Sequence, residues 1–164
     1  MTYRVCFVCT GNICRSPMAE AVFRARVAEA GLEGLVEADS AGTDGWHEGE
    51  GADPRTLAVL EENGYVLDHV ARRFQPSWFA RLDLVLALDA GHLRTLRRLA
   101  PTEQDAAKVR LLRSYDSGAD SGDLDVPDPY YGGVDGFEEC LEMVEAASDG
   151  LLAAVREHME GRAA

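Results

Sequence analysis

Apolar residues fall along this chain in two alternating rhythms. Short runs dense in β-favouring residues occupy positions 3–8, 36–39, 82–88 and 109–112 and predict strands, whereas positions 17–30, 54–63, 90–99 and 136–158 repeat apolar residues every three or four and predict helices. In the first helix Ala19, Val22, Phe23, Val27 and Ala30 make one core-facing stripe, and Gly31 is a natural stop. Asp53-Pro54 gives the second helix a cap and an N1 proline, and Gly64 ends it. Strand alternating with helix predicts an α/β fold: a single domain, 1–164, with an open four-stranded parallel sheet and helices on both faces. A length of 164 residues suits one compact core, and no repeat or linker divides it. The one stretch without either rhythm, 114–122, is rich in Ser, Gly and Asp and is expected to be a long surface loop.

The handover from the first strand to the first helix carries the chemistry. It reads Val8-Cys9-Thr10-Gly11-Asn12-Ile13-Cys14-Arg15-Ser16-Pro17, with Ser16 expected as N-cap and Pro17 as the first helical residue. Backbone N–H groups over 9–16, from Thr10, Gly11, Asn12, Ile13, Cys14 and Ser16, have no intrahelical partners there. Together with the helix dipole they attract an oxyanion, and Gly11 lets the chain bend to aim them. Cys9 would sit at the centre of these donors, where the positive field favours the thiolate, a nucleophile. Arg15 offers a planar fork that holds two phosphoryl oxygens and follows them into the transition state. The Ser16 hydroxyl can donate to the Cys9 sulfur and make it a better leaving group. A buried cysteine is otherwise an inert small hydrophobe. Here the strand before, the glycine within and the helix after set it apart. No glycine-lysine pair follows Gly11 and the Rossmann glycine pattern is absent, which argues against a nucleotide loop. In open α/β sheets ligands bind beyond the carboxyl ends of strands, where Cys9 lies.

Charge narrows the partners. With 29 acidic and 16 basic side chains the formal charge is −13, so neither nucleic acid nor an anionic membrane is expected as a partner. A dianionic substrate is still compatible, because exposed charges beyond about 10 Å are screened, while loop amides and Arg15 act at contact. Rim acids such as Asp120 and Asp123 are expected to disfavour very acidic phosphopeptides. No signal-peptide-like or membrane-spanning run is visible, which predicts a cytoplasmic protein with its cysteines as thiols. Cys6 and Cys140 read as core. The histidines His47, His69, His92 and His158 are scattered and no CxxC or HxxxH pair exists, so no metal and no cofactor is expected.

The loop resembles the active-site loop of the low-molecular-weight protein tyrosine phosphatases. The resemblance extends over nearly the whole chain, through Asp39-Ser40-Ala41-Gly42-Thr43 with Trp46, then His69, Leu84-Val85-Leu86-Ala87-Leu88-Asp89 and Asp128-Pro129-Tyr130-Tyr131-Gly132. It implies phosphotyrosine hydrolysis through a phosphocysteine on Cys9, with Arg15 as phosphate clamp and Asp128 as general acid, then base. Asp128 stands in Pro127-Asp128-Pro129, within an acid loop over 114–133, where stiff backbone can hold a carboxyl over the leaving oxygen. Trp46, Tyr130 and Tyr131 would flank a slot deep enough for a phosphorylated phenol; a looser alternative is that these aromatics, Tyr131 above all, cover the core edge. Asn12, Ser40 and His69 resemble the hydrogen-bond set that braces the loop, although His69 by itself also reads as a satisfied core histidine. The resemblance likewise implies that Cys14 forms a reversible disulfide with Cys9 under peroxide; simple packing is the alternative. Related phosphoarginine hydrolases look similar but carry threonine where this chain has Ile13, which favours phosphotyrosine. Related arsenate reductases relay electrons through a cysteine pair near residue 80, and 81–91 holds no cysteine. Implied partners are phosphotyrosine proteins, small aryl phosphates and a tyrosine kinase acting on Tyr130 or Tyr131. A phosphate-binding module or a redox sensor built on Cys9 and Cys14 is the competing class; it has no need of Asp128.

Overall fold

A computed structural model describes residues 2–163. Strands β1 (Tyr3–Cys9), β2 (Val36–Gly42), β3 (Leu84–Ala87) and β4 (Val109–Leu111) pair in parallel in the order β2-β1-β3-β4. Between and after them run α1 (Arg15–Glu29), α2 (Pro54–Glu62), α3 (Ala90–Leu99), α4 (Glu103–Ala107) and α5 (Val134–Ala163), with 3₁₀ turns at Pro76–Ala80 and Leu112–Tyr115. This is the open four-stranded parallel sheet of a single α/β domain that the two rhythms predict.

The unbroken apolar run of β1 is explained by its position inside the sheet, covered on both faces. Side chains alternate along it. Val5 and Phe7 enter the cluster shared with α1, α2 and α5, where Phe7 meets Phe23 edge-on at 5.6 Å between centroids. Cys6 and Val8 enter the opposite cluster, with Phe74, Phe79 and Leu96 of α3. Cys9 lies level with Gly42, and Val8 with Ala87, so the carboxyl ends of β1, β2 and β3 open on one side and their loops converge there.

Local signals act much as read. Asp53 caps α2 by accepting from the Arg55 N–H at 2.8 Å ahead of Pro54, and the left-handed Gly31 (φ 73°) and Gly64 (φ 82°) follow α1 and α2. The start of α1 is a correction. Cys14, not Ser16, holds the N-cap position and makes no side-chain cap bond, while Ser16 stands inside the first turn and points its N–H at the Cys9 sulfur, 3.4 Å away. Donors that a Ser cap would satisfy are here turned towards the loop. Every residue from Arg15 through Phe23 is buried, so the first turns of α1 are covered all round rather than along one stripe, and Ala30 is only half-buried.

Other boundaries moved for identifiable reasons. β2 continues through Ser40, Ala41 and Gly42 because its pairing with β1 persists to Cys9. β3 is shorter than its apolar run, and α5 is longer at both ends than its periodic core. α4 is a five-residue polar helix capped by Thr102, too short to register as a pattern. α5 lies backbone to backbone on the second 3₁₀ turn, where a Cβ on Gly150 would collide with the Tyr115 carbonyl oxygen. Among the described residues no helix is long and apolar enough to cross a membrane.

Candidate active site

The loop between β1 and α1 turns its carbonyls outward. Cys9 O accepts from Thr43 N (2.8 Å), Thr10 O from Asp44 N (3.0 Å), Ile13 O from Asp53 N (2.8 Å), Cys14 O from Met18 N (3.3 Å) and Asn12 O from His69 Nε2 (2.6 Å). No described carbonyl takes up an N–H of residues 10–14, which leaves these donors to the concave side. With the N-terminus of α1 beside them they form a cradle for an oxyanion. Gly42 permits this packing. A Cβ there would come 2.6 Å from Thr10 O and 3.2 Å from Asn12 N.

The Cys9 sulfur, 3% exposed, sits over the cradle. Ser16 Oγ lies 3.0 Å from it, and Asn12 Nδ2 donates to Ser16 Oγ at 2.9 Å, leaving the hydroxyl proton for the sulfur or for Ala41 O at 3.3 Å. The other Asn12 amide proton goes to Ser40 Oγ (3.0 Å), and Ser40 donates to Glu20 Oε1 (2.7 Å). A buried Glu20 side chain thus fixes donor directions through Ser40 and Asn12 as far as Ser16, beside Cys9. Asn12 also accepts from Arg72 N at 3.0 Å and holds the left-handed φ of 58°, which Asn tolerates better than most residues. Asn12, Ser40 and His69 therefore brace the loop, while the Asn12 and Ser16 side chains, fully buried, contribute no wall to the cleft.

Arg15 is held along one edge. Nη1 donates to Asp89 Oδ2 and to Val126 O, both at 2.9 Å, and Nη2 faces Asp128 Oδ2 at 3.8 Å. The side chain is 4% exposed, and although burial opposes the charge, Cys9, Asp89 and Asp128 together raise its pKa further. Asp89 caps α3 through His92 N at 2.9 Å. Burial works against its ionisation, but the His92 N–H, the His92 ring and Arg15 outweigh that and hold its pKa below the usual carboxylate value. The His92 ring contacts Thr10 Oγ1 (2.8 Å) and Arg15 Nη2 (3.5 Å) through Nε2 and Asp89 Oδ1 (3.2 Å) through Nδ1. Burial, then Arg15, push its pKa down to about 4, so the ring is neutral near pH 7. A neutral ring that accepts at Nε2 carries its proton on Nδ1, towards Asp89.

A cleft of about 340 Å³ opens above these groups, with Cys9 and Arg15 at its floor. Ile13 and Cys14 line it below, and Trp46, Tyr130 and Tyr131 stand around it with Asp128. Trp46 and Tyr131 are 90% and 92% exposed and Tyr130 is 37% exposed, its ring 5.0 Å from that of Tyr131. The aromatics are therefore rim rather than core cover. Asp128 accepts from Tyr130 N at 3.0 Å, and the strand-like approach to it is pinned by Val126 N to Leu88 O (2.8 Å) and Ala90 N to Asp125 Oδ1 (2.9 Å). Burial, with Asp53 and Cys9 adding to it, pushes the Cys14 thiol up to about 12.

Sequence reasoning missed Glu20, Asp89 and His92 as members of this site. Glu20 is one helical turn beyond Ser16 on the covered face of α1, and an acid within an apolar stripe is a signal in itself. Asp89 and His92 follow β3 at the carboxyl end of the sheet, the same rule that located Cys9.

The family model for low molecular weight phosphotyrosine protein phosphatase matches residues 4–161. The chain is 84% identical over 164 residues, all of both chains, to a low molecular weight protein-tyrosine-phosphatase of Streptomyces coelicolor. It is similar to the crystal structure of a protein tyrosine phosphatase from Entamoeba histolytica, with a TM-score of 0.91 at 35% identity over 96% of this chain and 99% of that one. A drosophila arginine phosphatase also superposes, at a TM-score of 0.85 and 30% identity over 92% of this chain and 96% of that one.

Proposed function

The chain belongs to the low molecular weight phosphotyrosine protein phosphatase family and is a phosphoric monoester hydrolase, and from that premise we propose that it dephosphorylates protein phosphotyrosine and small aryl phosphates through a phosphocysteine on Cys9. The Cys9 thiolate attacks phosphorus in line as the tyrosyl oxygen departs. Loop N–H groups and the free edge of Arg15 receive the equatorial oxygens, whose charge they stabilise most in the transition state. Asp128 gives its proton to the leaving phenolate. It then takes one from the water that attacks the phosphocysteine, and Cys9 leaves as a thiolate that accepts from Ser16. The observation that carries this reading is the convergence on one cleft of a sulfur over inward N–H donors, a guanidinium fixed along one edge, and a carboxylate 3.8 Å from that guanidinium.

Two features of the cleft support phosphotyrosine as the substrate. Its aromatic rim suits a phenyl ring, and the branched, apolar Ile13 in the wall offers no hydroxyl to a guanidino phosphate. Steady-state hydrolysis of matched phosphotyrosine, phosphoserine and phosphoarginine peptides, without metal, tests this with wild type and Cys9→Ser. Cys9-dependent turnover of phosphotyrosine is expected; preference for phosphoarginine would refute the Ile13 argument, and no turnover would move a binding or redox role to the front.

The reading extends to regulation. Peroxide oxidises the Cys9 thiolate to a sulfenic acid, and the neighbouring Cys14 thiol condenses with it, forming the disulfide and releasing water; an external thiol restores both. Cys14→Ser is expected to lose activity irreversibly at peroxide doses from which wild type recovers on adding thiol, and equal recovery would exclude the protective role. Tyr131, being exposed, is the more accessible of the two tyrosines to a kinase. The free cysteines Cys6, Cys9, Cys14 and Cys140 suit a cytoplasmic location.

A further inference from the structure

We propose that Arg113 is a positioning residue for the general acid, a role that rests on the assignment of Asp128 above. Arg113 belongs to the 3₁₀ turn after β4, and its side chain, 12% exposed, reaches under the long loop that ends at Asp128. Nη1 donates to two loop carbonyls, Asp123 O at 3.1 Å and Asp125 O at 2.7 Å. Its carboxylate contact is slight, since Asp123 Oδ1 is 3.9 Å away on a side chain 76% exposed. The hydrogen bonds of Nη1 are therefore spent on backbone.

That backbone needs an anchor. Beyond Asp116 N to Arg113 O at its start, the segment 116–123 is held by short internal turns, Gly118 N to Asp116 Oδ1 and Gly122 N to Asp120 Oδ1, both at 2.9 Å, with Ala119 N to Asp116 O and Asp123 N to Asp120 O. Such turns shape a loop without attaching it to the core. Attachment begins with the Arg113 fork, continues through Asp125 Oδ1 at the start of α3, and finishes at Val126, whose N–H meets Leu88 and whose carbonyl meets Arg15. Pro127 and Pro129 then transmit this placement stiffly to Asp128. Hydrogen bonds from a charged donor are roughly twice as strong as neutral ones, so the two from Nη1 outweigh the turn bonds of the loop singly.

If Arg113 acts through Asp128, its loss must be felt in proportion to the need for an acid. Values of kcat/KM for a series of aryl phosphates, from nitrophenyl to unsubstituted phenyl, would be measured for wild type, Arg113→Ala, Arg113→Lys, Asp128→Asn and the Arg113→Ala/Asp128→Asn double variant, with thermal midpoints alongside. Arg113→Ala is expected to lower kcat/KM about 10-fold for the poor leaving group and no more than about 2-fold for the nitrophenolate, with partial recovery in Arg113→Lys and no further loss in the double variant. A uniform loss across the series, or full additivity with Asp128→Asn, would overturn the positioning role. Absence of leaving-group dependence in Asp128→Asn itself would instead overturn the acid assignment.

Discussion

His92 places a titrating ring where it can report on the site. Folded, its pKa lies near 4 against an ordinary 6.5, chiefly because it is buried and secondly because Arg15 faces it; Asp89, Asp128 and Asp125 pull the other way. The unfolded chain therefore binds a proton that the folded chain refuses, so stability is complete above pH 6.5 and falls as pH falls towards 4. A gap of about 2.5 pH units at 1.36 kcal/mol per unit amounts to about 3 kcal/mol in full, of which about 2 kcal/mol has gone by pH 5. For a domain of this size that moves a urea midpoint by about 1 M.

Urea unfolding of wild type and His92→Gln at pH 7.5, 6 and 5 reads this contribution together with its coupling to Asp89, since the carboxylates remote from the ring cancel in the difference. Glutamine keeps an acceptor within reach of Thr10 and Arg15 but has no proton to take up. It is expected to start less stable at pH 7.5 and to lose about 2 kcal/mol less than wild type by pH 5. Parallel decline of the two proteins would refute the account. It would mean that the ring charges as easily beside Arg15 as in water, and so is not the neutral acceptor that orders Thr10 and the guanidinium.

Further outcomes follow from other contacts. Asn12→Ala and Asn12→Gly both remove the amide link between Ser16 and Ser40 and the acceptor for Arg72 N, but only Asn12→Ala leaves a side chain poorly suited to φ 58°. Both are expected to lose at least about 10-fold in kcat, with Asn12→Ala about 1 kcal/mol less stable than Asn12→Gly by urea titration; normal turnover in Asn12→Gly would refute the brace. Gly150→Ala places a methyl against the Tyr115 carbonyl, backbone that cannot swing aside. Destabilisation of about 2 kcal/mol or more is expected in thermal or urea unfolding, and a neutral result would show that α5 can shift off the turn.

How much of this could be read in the chain differs by element. β1 and its loop were legible because a doubly covered strand, a glycine and a helix start leave marks at fixed positions, and the family motifs extended them to Trp46, His69 and Asp128. The N-cap rule failed at Ser16 for a chemical reason: the hydroxyl is committed to the Cys9 sulfur and to Asn12, and tertiary contacts overrode the local preference. Glu20 left a mark, an acid on the covered face of α1, but its partner Ser40 lies on another element, and Arg113 was invisible because it is meaningful only through the Asp123 and Asp125 carbonyls.

The acidic surface and the anionic substrate are reconciled at Arg15. A net charge of −13 sets the far field, which salt screens within about 10 Å. Inside that distance, Asp89 is a carboxylate whose effect on binding is indirect: it occupies Nη1 and, with the Val126 carbonyl, fixes the plane of the guanidinium so that Nη2 is turned towards the cleft. Without that pairing the side chain would have several rotamers to lose on binding phosphate. The same Asp89 caps α3 through His92 N, and the His92 ring beside it reaches back through Nε2 to Thr10 of the loop. One acid thereby ties the arginine, a helix and the phosphate cradle into a fixed set, and the cost of a nearby negative charge is offset by donors that need not reorganise when the phosphoryl group arrives.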